Sequence, residues 1–222
     1  MAAPTLVLHV RATELSDVLT FNRLKGDIKK IFSSYRLVLV HGSIGKVDQV
    51  SQSVESLLTL NKTFAAKLSE ELLPAVSLAA HHLGTATVDW LSVPQDIGAS
   101  LVIKPHALSM ILARGGLPVI APIIKDGFDK DLITTSEWIA AKVAAAIQAD
   151  LLIFLTDAKA AAAYALDAHT ASTDEDAPPV RQCAKASLHA GAKRAFVTDI
   201  SGMEKILIHQ QTAPTEISVD NS

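Results

Sequence analysis

The chain has 222 residues, 49% of them hydrophobic, and its 23 Asp and Glu slightly outnumber its 20 Lys and Arg. That is enough apolar material for one sizeable core, so residues 1–222 are read as a single domain, and basic residues scattered over a chain of net charge −3 leave no footprint for nucleic acid. The lone Cys183 excludes an intramolecular disulfide and fits a reducing, cytoplasmic setting. No basic n-region opens the chain, and no apolar run reaches the roughly 18 residues of a membrane span.

In chain order, Thr5 to Val10 is a continuous apolar run of the kind that forms a buried parallel strand. Residues 16–32 carry apolar side chains at helical spacing, with Ser16 and Asp17 able to cap the exposed amides and an end near Ser33-Ser34. Arg36 to His41 is the second strand, and residues 49–83 have helical spacing with a break at Pro74. A helix over 105–114 stops at Gly115-Gly116, before a strand over 117–124. Thr135-Ser136-Glu137 places a hydroxyl cap and an early carboxylate ahead of an Ala-rich helix over 137–147. Residues 151–156 and 194–198 are further strands, and the polar stretch from Thr170 to Pro179 is a mobile loop. Strand alternating with helix gives right-handed crossovers and helices on both faces of one sheet.

Gly115-Gly116-Leu117-Pro118-Val119-Ile120-Ala121-Pro122-Ile123, followed by an Ala-rich helix and then Leu151-Leu152-Ile153-Phe154-Leu155-Thr156-Asp157, resembles the central strand, helix and nucleotide-side strand of the amino acid kinase family, nearest to its acetylglutamate kinase branch. The segments Arg36 to Gly42, Lys104 to Leu108 and Ala190 to Asp199 resemble other core elements of that family in the same order, and Thr212 to Ile217 stands in place of a closing hairpin. The resemblance implies an α/β fold, a three-layer αβα sandwich around a mainly parallel sheet. It also implies ATP and Mg2+ as cofactors, and self-association or assembly with a paralogous subunit.

The positions that would carry chemistry depart from the family. Where the family's first strand ends in Lys-x-Gly-Gly, whose lysine neutralises the transferring phosphoryl group, this chain has His9-Val10-Arg11-Ala12-Thr13. The second loop, Gly42-Ser43-Ile44-Gly45-Lys46, keeps two glycines that suit either a phosphate cradle or an ordinary strand-to-helix turn, and Lys46 offers a positive charge. Glu137 takes the place of the family's aspartate, and it serves equally as a helix-start carboxylate. Thr156 and Asp157 correspond to the nucleotide side, with Lys159 close by as ligand group or exposed loop lysine. Arg181 stands near the place of another lysine, although a guanidinium does not replace an ammonium at a tight phosphate site.

The candidate set is therefore Lys46, Arg11 and Glu137 for chemistry, and Gly42, Ser43, Gly45, Thr156, Asp157, Lys159 and Arg181 for the cofactor. His81-His82 has no Cys or carboxylate at ligand spacing and is not taken as a metal site. Ser187 with His189, and Cys183 with any histidine, fall outside a strand-turn-helix elbow. Two functions remain open: a non-catalytic relative that binds a nucleotide, an anion or a partner subunit, and an ATP-dependent kinase that phosphorylates a carboxylate or phosphate with relocated cations.

Overall fold

A computed structural model describes residues 3–42, 53–83, 101–125, 129–167, 179–207 and 216–217. Its elements in chain order are β1 (Thr5–Val10), α1 (Ala12–Ser16), α2 (Val18–Phe32), β2 (Arg36–His41), α3 (Val54–Ser69), β3 (Ala75–Ala79) and a 3-10 turn (Ala80–Leu83). There follow α4 (His106–Ala113), β4 (Leu117–Ala121), β5 (Ile123–Lys125), β6 (Asp131–Ile133), α5 (Ser136–Ala146) and β7 (Leu151–Leu155). The last are α6 (Ala158–Asp167), α7 (Pro179–His189), β8 (Ala195–Thr198), α8 (Ile200–Leu207) and β9 (Glu216–Ile217).

Seven strands form one sheet in the order β3-β4-β2-β1-β7-β8-β9, parallel throughout except where β9 runs against β8. Each strand's alternating side chains feed two separate apolar layers. Leu6, Leu8, Leu37 and Leu39 point to α2, α3 and α8, where they pack with Phe21, Phe64 and Met203. Val7, Val38, Val40 and Phe154 point the other way, to Leu108, Ile139 and Cys183 of α4, α5 and α7. Helix, sheet and helix thus make the expected three-layer αβα sandwich.

Local chemistry sets the boundaries. The Asp17 carboxylate accepts from the Thr20 amide and starts α2, the helix expected over 16–32, and one further turn, α1, precedes it. Gly115, at φ +74°, ends α4 in a left-handed conformation, and a Cβ on Gly116 would stand 2.6 Å from Ile111 Cγ2.

Three expectations fail. Within 49–83 the helix gives way to a strand, β3, because Pro74 cannot continue it and Ala75-Val76-Ser77-Leu78-Ala79 finds partners in β4. The run 117–124 is not one strand: it divides at Pro122, whose missing amide ends the ladder, and β5 pairs with β6 in a separate hairpin. Thr135 begins α5 without a capping hydrogen bond, its hydroxyl buried and unpartnered. The polar stretch over 170–178 lies outside the described residues, and Pro179 is the first residue of α7.

Candidate functional site

From β1 the chain goes first to one neighbour, β2, and later returns on the other side as β7. Parallel sheets bind ligands outside the carboxyl ends of their strands, at the point where the winding direction switches. Here that point lies between β1 and β7. Arg11 follows β1, Gly42 follows β2, and Thr156 and Asp157 follow β7, so the strand ends bring three separate sequence regions together.

Across the mouth, Arg11 Nη1 donates to Thr156 Oγ1 and to Asp157 Oδ2, each at 3.1 Å. The ion pair is open to solvent, with side chains 43% and 55% exposed. Asp157 is also the cap of α6, since its Oδ1 accepts from the Ala160 amide at 2.8 Å. That backbone bond is the main reason its carboxyl is held below the usual range, with the Arg11 charge adding to it. Glu14, one turn further on, is pushed up by burial and by the Asp157 charge, and Arg11 opposes the shift.

Beneath the mouth lies a chain of three polar groups, two of them buried and the third, Glu137, partly so. Ser136, at the start of α5, donates its hydroxyl to Glu137 Oε2 at 3.0 Å and sits 2.8 Å from His9 Nε2. A hydroxyl has one hydrogen, so Ser136 accepts from His9, which must carry its proton on Nε2. His9 Nδ1 is then a bare lone pair, buried and without a donor. The ring is 1% exposed and packs 5.4 Å from Phe154. Burial lowers its pKa to about 4 against the pull of Glu137, helped by the neighbouring His41 and Arg11, and so the imidazole is neutral at pH 7.

His41 lies on the opposite face of the sheet, its ring 6.1 Å from Phe64 and its Nδ1 3.0 Å from the Gly42 carbonyl. Burial pushes it down as well. The Asn61 side chain lies against His41 and partly offsets the effect of burial on that ring, while the Asn61 amide donates to the Leu78 carbonyl at 2.7 Å and ties α3 to β3.

Gly42 is the point where the parts touch. A Cβ there would stand 3.3 Å from the Ala12 amide nitrogen, 3.4 Å from Ser136 Oγ and 3.6 Å from Arg11 Cα. The site residues expected from the sequence therefore divide. Arg11, Gly42, Thr156, Asp157 and Glu137 converge on one edge of the sheet. Lys159 is exposed in the first turn of α6, and Arg181 is partly buried in the first turn of α7, engaged in an interaction of its own. Ser43, Gly45 and Lys46 lie outside the described residues. Sequence reasoning did not select His9, Ser136 or His41; the one available signal was a histidine standing where the resemblance calls for a lysine.

For an anion the mouth offers, among the described residues, the Arg11 guanidinium and the Thr156 hydroxyl. For a metal, no group of three His, Cys, Asp or Glu side chains occurs among the described residues, and a magnesium ion carried on phosphates with one carboxylate needs no such group. Among the described residues no helix is long and apolar enough to cross a membrane.

A mainly parallel sheet with helices on both faces and a polar mouth at its switch point defines an α/β protein of the doubly wound class. The chain belongs to the amino acid kinase family, whose model matches residues 12–160. Among curated proteins it is similar to the acetylglutamate kinase of Bacillus licheniformis, 30% identical over 139 residues that make up 60% of this chain and 54% of that one. It is also similar to the acetylglutamate kinase of Methanosarcina mazei, 39% identical over 82 residues, 36% of this chain and 27% of that one. The chain thus spans about half the length, or less, of these relatives. Among solved structures, N-acetylglutamate synthase from Neisseria gonorrhoeae superposes with a TM-score of 0.66 at 20% identity over 92% of this chain and 57% of that one. Carbamate kinase from Giardia lamblia bound to AMP-PNP gives 0.65 at 15% identity, covering 99% of both chains. At such identities these two establish the fold alone.

Proposed function

We propose that this chain is a non-catalytic, single-domain member of its family that binds a nucleotide or another small anion at the β1–β7 mouth and works as an assembly subunit, with copies of itself or with an active paralogue. The observation that carries the reading is His9. It stands where the resemblance puts the lysine that neutralises the transferring phosphoryl group, and it is a buried neutral imidazole hydrogen-bonded inward to Ser136. Phosphoryl transfer rests mainly on positioning and on cations matched to the developing charge, and a neutral ring supplies no cation.

Two further features support it. Arg11, the cation nearest to His9 in sequence, is compensated by Asp157. The amide of Ala12 and the hydroxyl of Ser136 are packed against Gly42, in contrast to the open glycine pair of the family pattern.

A second reading, an ATP- and Mg2+-dependent kinase acting on a carboxylate or phosphate, is favoured by the convergence of Arg11 and Glu137 on one sheet edge, with Lys46 as a further candidate cation from the sequence. Calorimetric titration with magnesium-ATP and a non-hydrolysable analogue, repeated with Lys46→Ala and followed for phosphoryl transfer to acetylglutamate, separates the two. Saturable binding weakened by Lys46→Ala, without transfer, is expected. Transfer above the no-enzyme rate sinks the non-catalytic reading, and absence of binding at millimolar nucleotide sinks the ligand and points to protein partners alone.

A further inference from the structure

Arg11 is the charge best placed to meet an incoming anion at the switch point, yet it already holds one. Asp157 lies between the Arg11 guanidinium and the first amides of α6, so a single carboxylate takes up both of the positive features that the end of β7 presents. Glu14 adds a second negative charge within reach of the pair. Among the described residues at this contact, the Arg11 charge is matched by Asp157, with the Glu14 carboxyl close by, so the guanidinium is not left free for an anion.

We propose that the Arg11–Asp157 pair is a built-in competitor, an internal carboxylate that occupies the guanidinium and must be displaced before a phosphate-bearing ligand can engage it. The proposal rests on the anion-binding reading above and adds how that site is regulated. The pair's exposure makes displacement feasible. A solvated ion pair is weak and screened by salt, so a ligand carrying two or more negative charges outcompetes one carboxylate. Arg11 does not have to move far, because Thr156 Oγ1 holds the same Nη1 at 3.1 Å and keeps the side chain across the mouth when Asp157 lets go. The contact sets a threshold: singly charged anions are rejected, whereas a di- or triphosphate is admitted.

The test is calorimetric titration of the full chain with ADP and, separately, with inorganic phosphate, comparing wild type with Asp157→Asn, Arg11→Met and the double variant. Asn remains a good helix cap, so Asp157→Asn keeps α6 and removes only the competing charge. ADP affinity is expected to rise about five- to tenfold in Asp157→Asn at low salt, with the gain shrinking as salt is added. It should disappear in the double variant, because the guanidinium it depends on is gone.

Below its second ionisation, where it is mostly singly charged while Asp157 stays ionised, inorganic phosphate should bind measurably only to Asp157→Asn. Equal or weaker ADP binding by Asp157→Asn than by wild type overturns the competitor. Binding by Asp157→Asn alone supports the competitor and contradicts a nucleotide role for the wild-type protein. If neither protein binds ADP or phosphate, both fall.

Discussion

On either face of the sheet most of the packed side chains are aliphatic or aromatic and almost wholly inaccessible, as with Leu39 and Phe64 on one side and Val40 and Ile139 on the other, with His9, His41 and Asn61 as buried polar exceptions. At the carboxyl edge between β1 and β7, by contrast, Arg11, Thr156 and Asp157 are polar, and each is bonded to a named partner. The faces ask only for apolar volume, and cores accept exchanges of similar volume at small cost. The edge asks for particular charges at particular places. The same fold therefore persists at 15–20% identity to the two solved structures.

The largest effect expected on the packed faces comes from opening a cavity. Leu39→Ala, at the centre of the sheet, should lower unfolding free energy by about 2–5 kcal/mol in a denaturant titration. A loss under about 1 kcal/mol would mean that the layer is not packed as described.

His9 joins the two regions and makes the next prediction. Its folded pKa is depressed, so the unfolded chain takes up its proton first as the medium is acidified. Stability from this group is whole above about pH 6.5 and falls progressively to about pH 4, by up to about 3 kcal/mol. His41, also pushed down by burial, adds to the same slope. His9→Gln should flatten the acid limb of a stability-against-pH curve measured by chemical denaturation. An unchanged limb would put the titration elsewhere.

Asn61→Ala should cost about 1–3 kcal/mol by leaving the Leu78 carbonyl without its donor, read as a lower melting temperature. The smallest effect belongs to the edge. Arg11→Met removes an exposed ion pair and should change stability by less than about 1 kcal/mol. A larger loss would make the mouth part of the scaffold and blur the contrast with the faces.

How much of this could be read from the sequence follows the same division. β1, β2, β7 and β8 were legible because short, mostly apolar runs rich in Val, Leu, Ile and Phe read as buried strands. β3 was hidden because Ala and Leu suit a helix equally well, and its strand partner β4 lies about 40 residues away in the chain. Arg11, Asp157 and Glu137 could be picked out by charge at strand and helix ends. Their pairing could not, since Arg11 meets Asp157 across a sequence separation of 146. The state of His9 was still less visible: a histidine inside an apolar run carries no mark of the hydroxyl 127 residues away that fixes its tautomer.

The neutrality of His9 is the point on which the functional account turns, and nitrogen NMR of the histidine-labelled protein, assigned with His9→Gln, measures it directly. The account predicts a neutral ring at pH 7, protonated on Nε2 and untitrated until the pH falls below about 5. An imidazolium at His9 at pH 7 would restore a cation beside the mouth and contradict the non-catalytic reading.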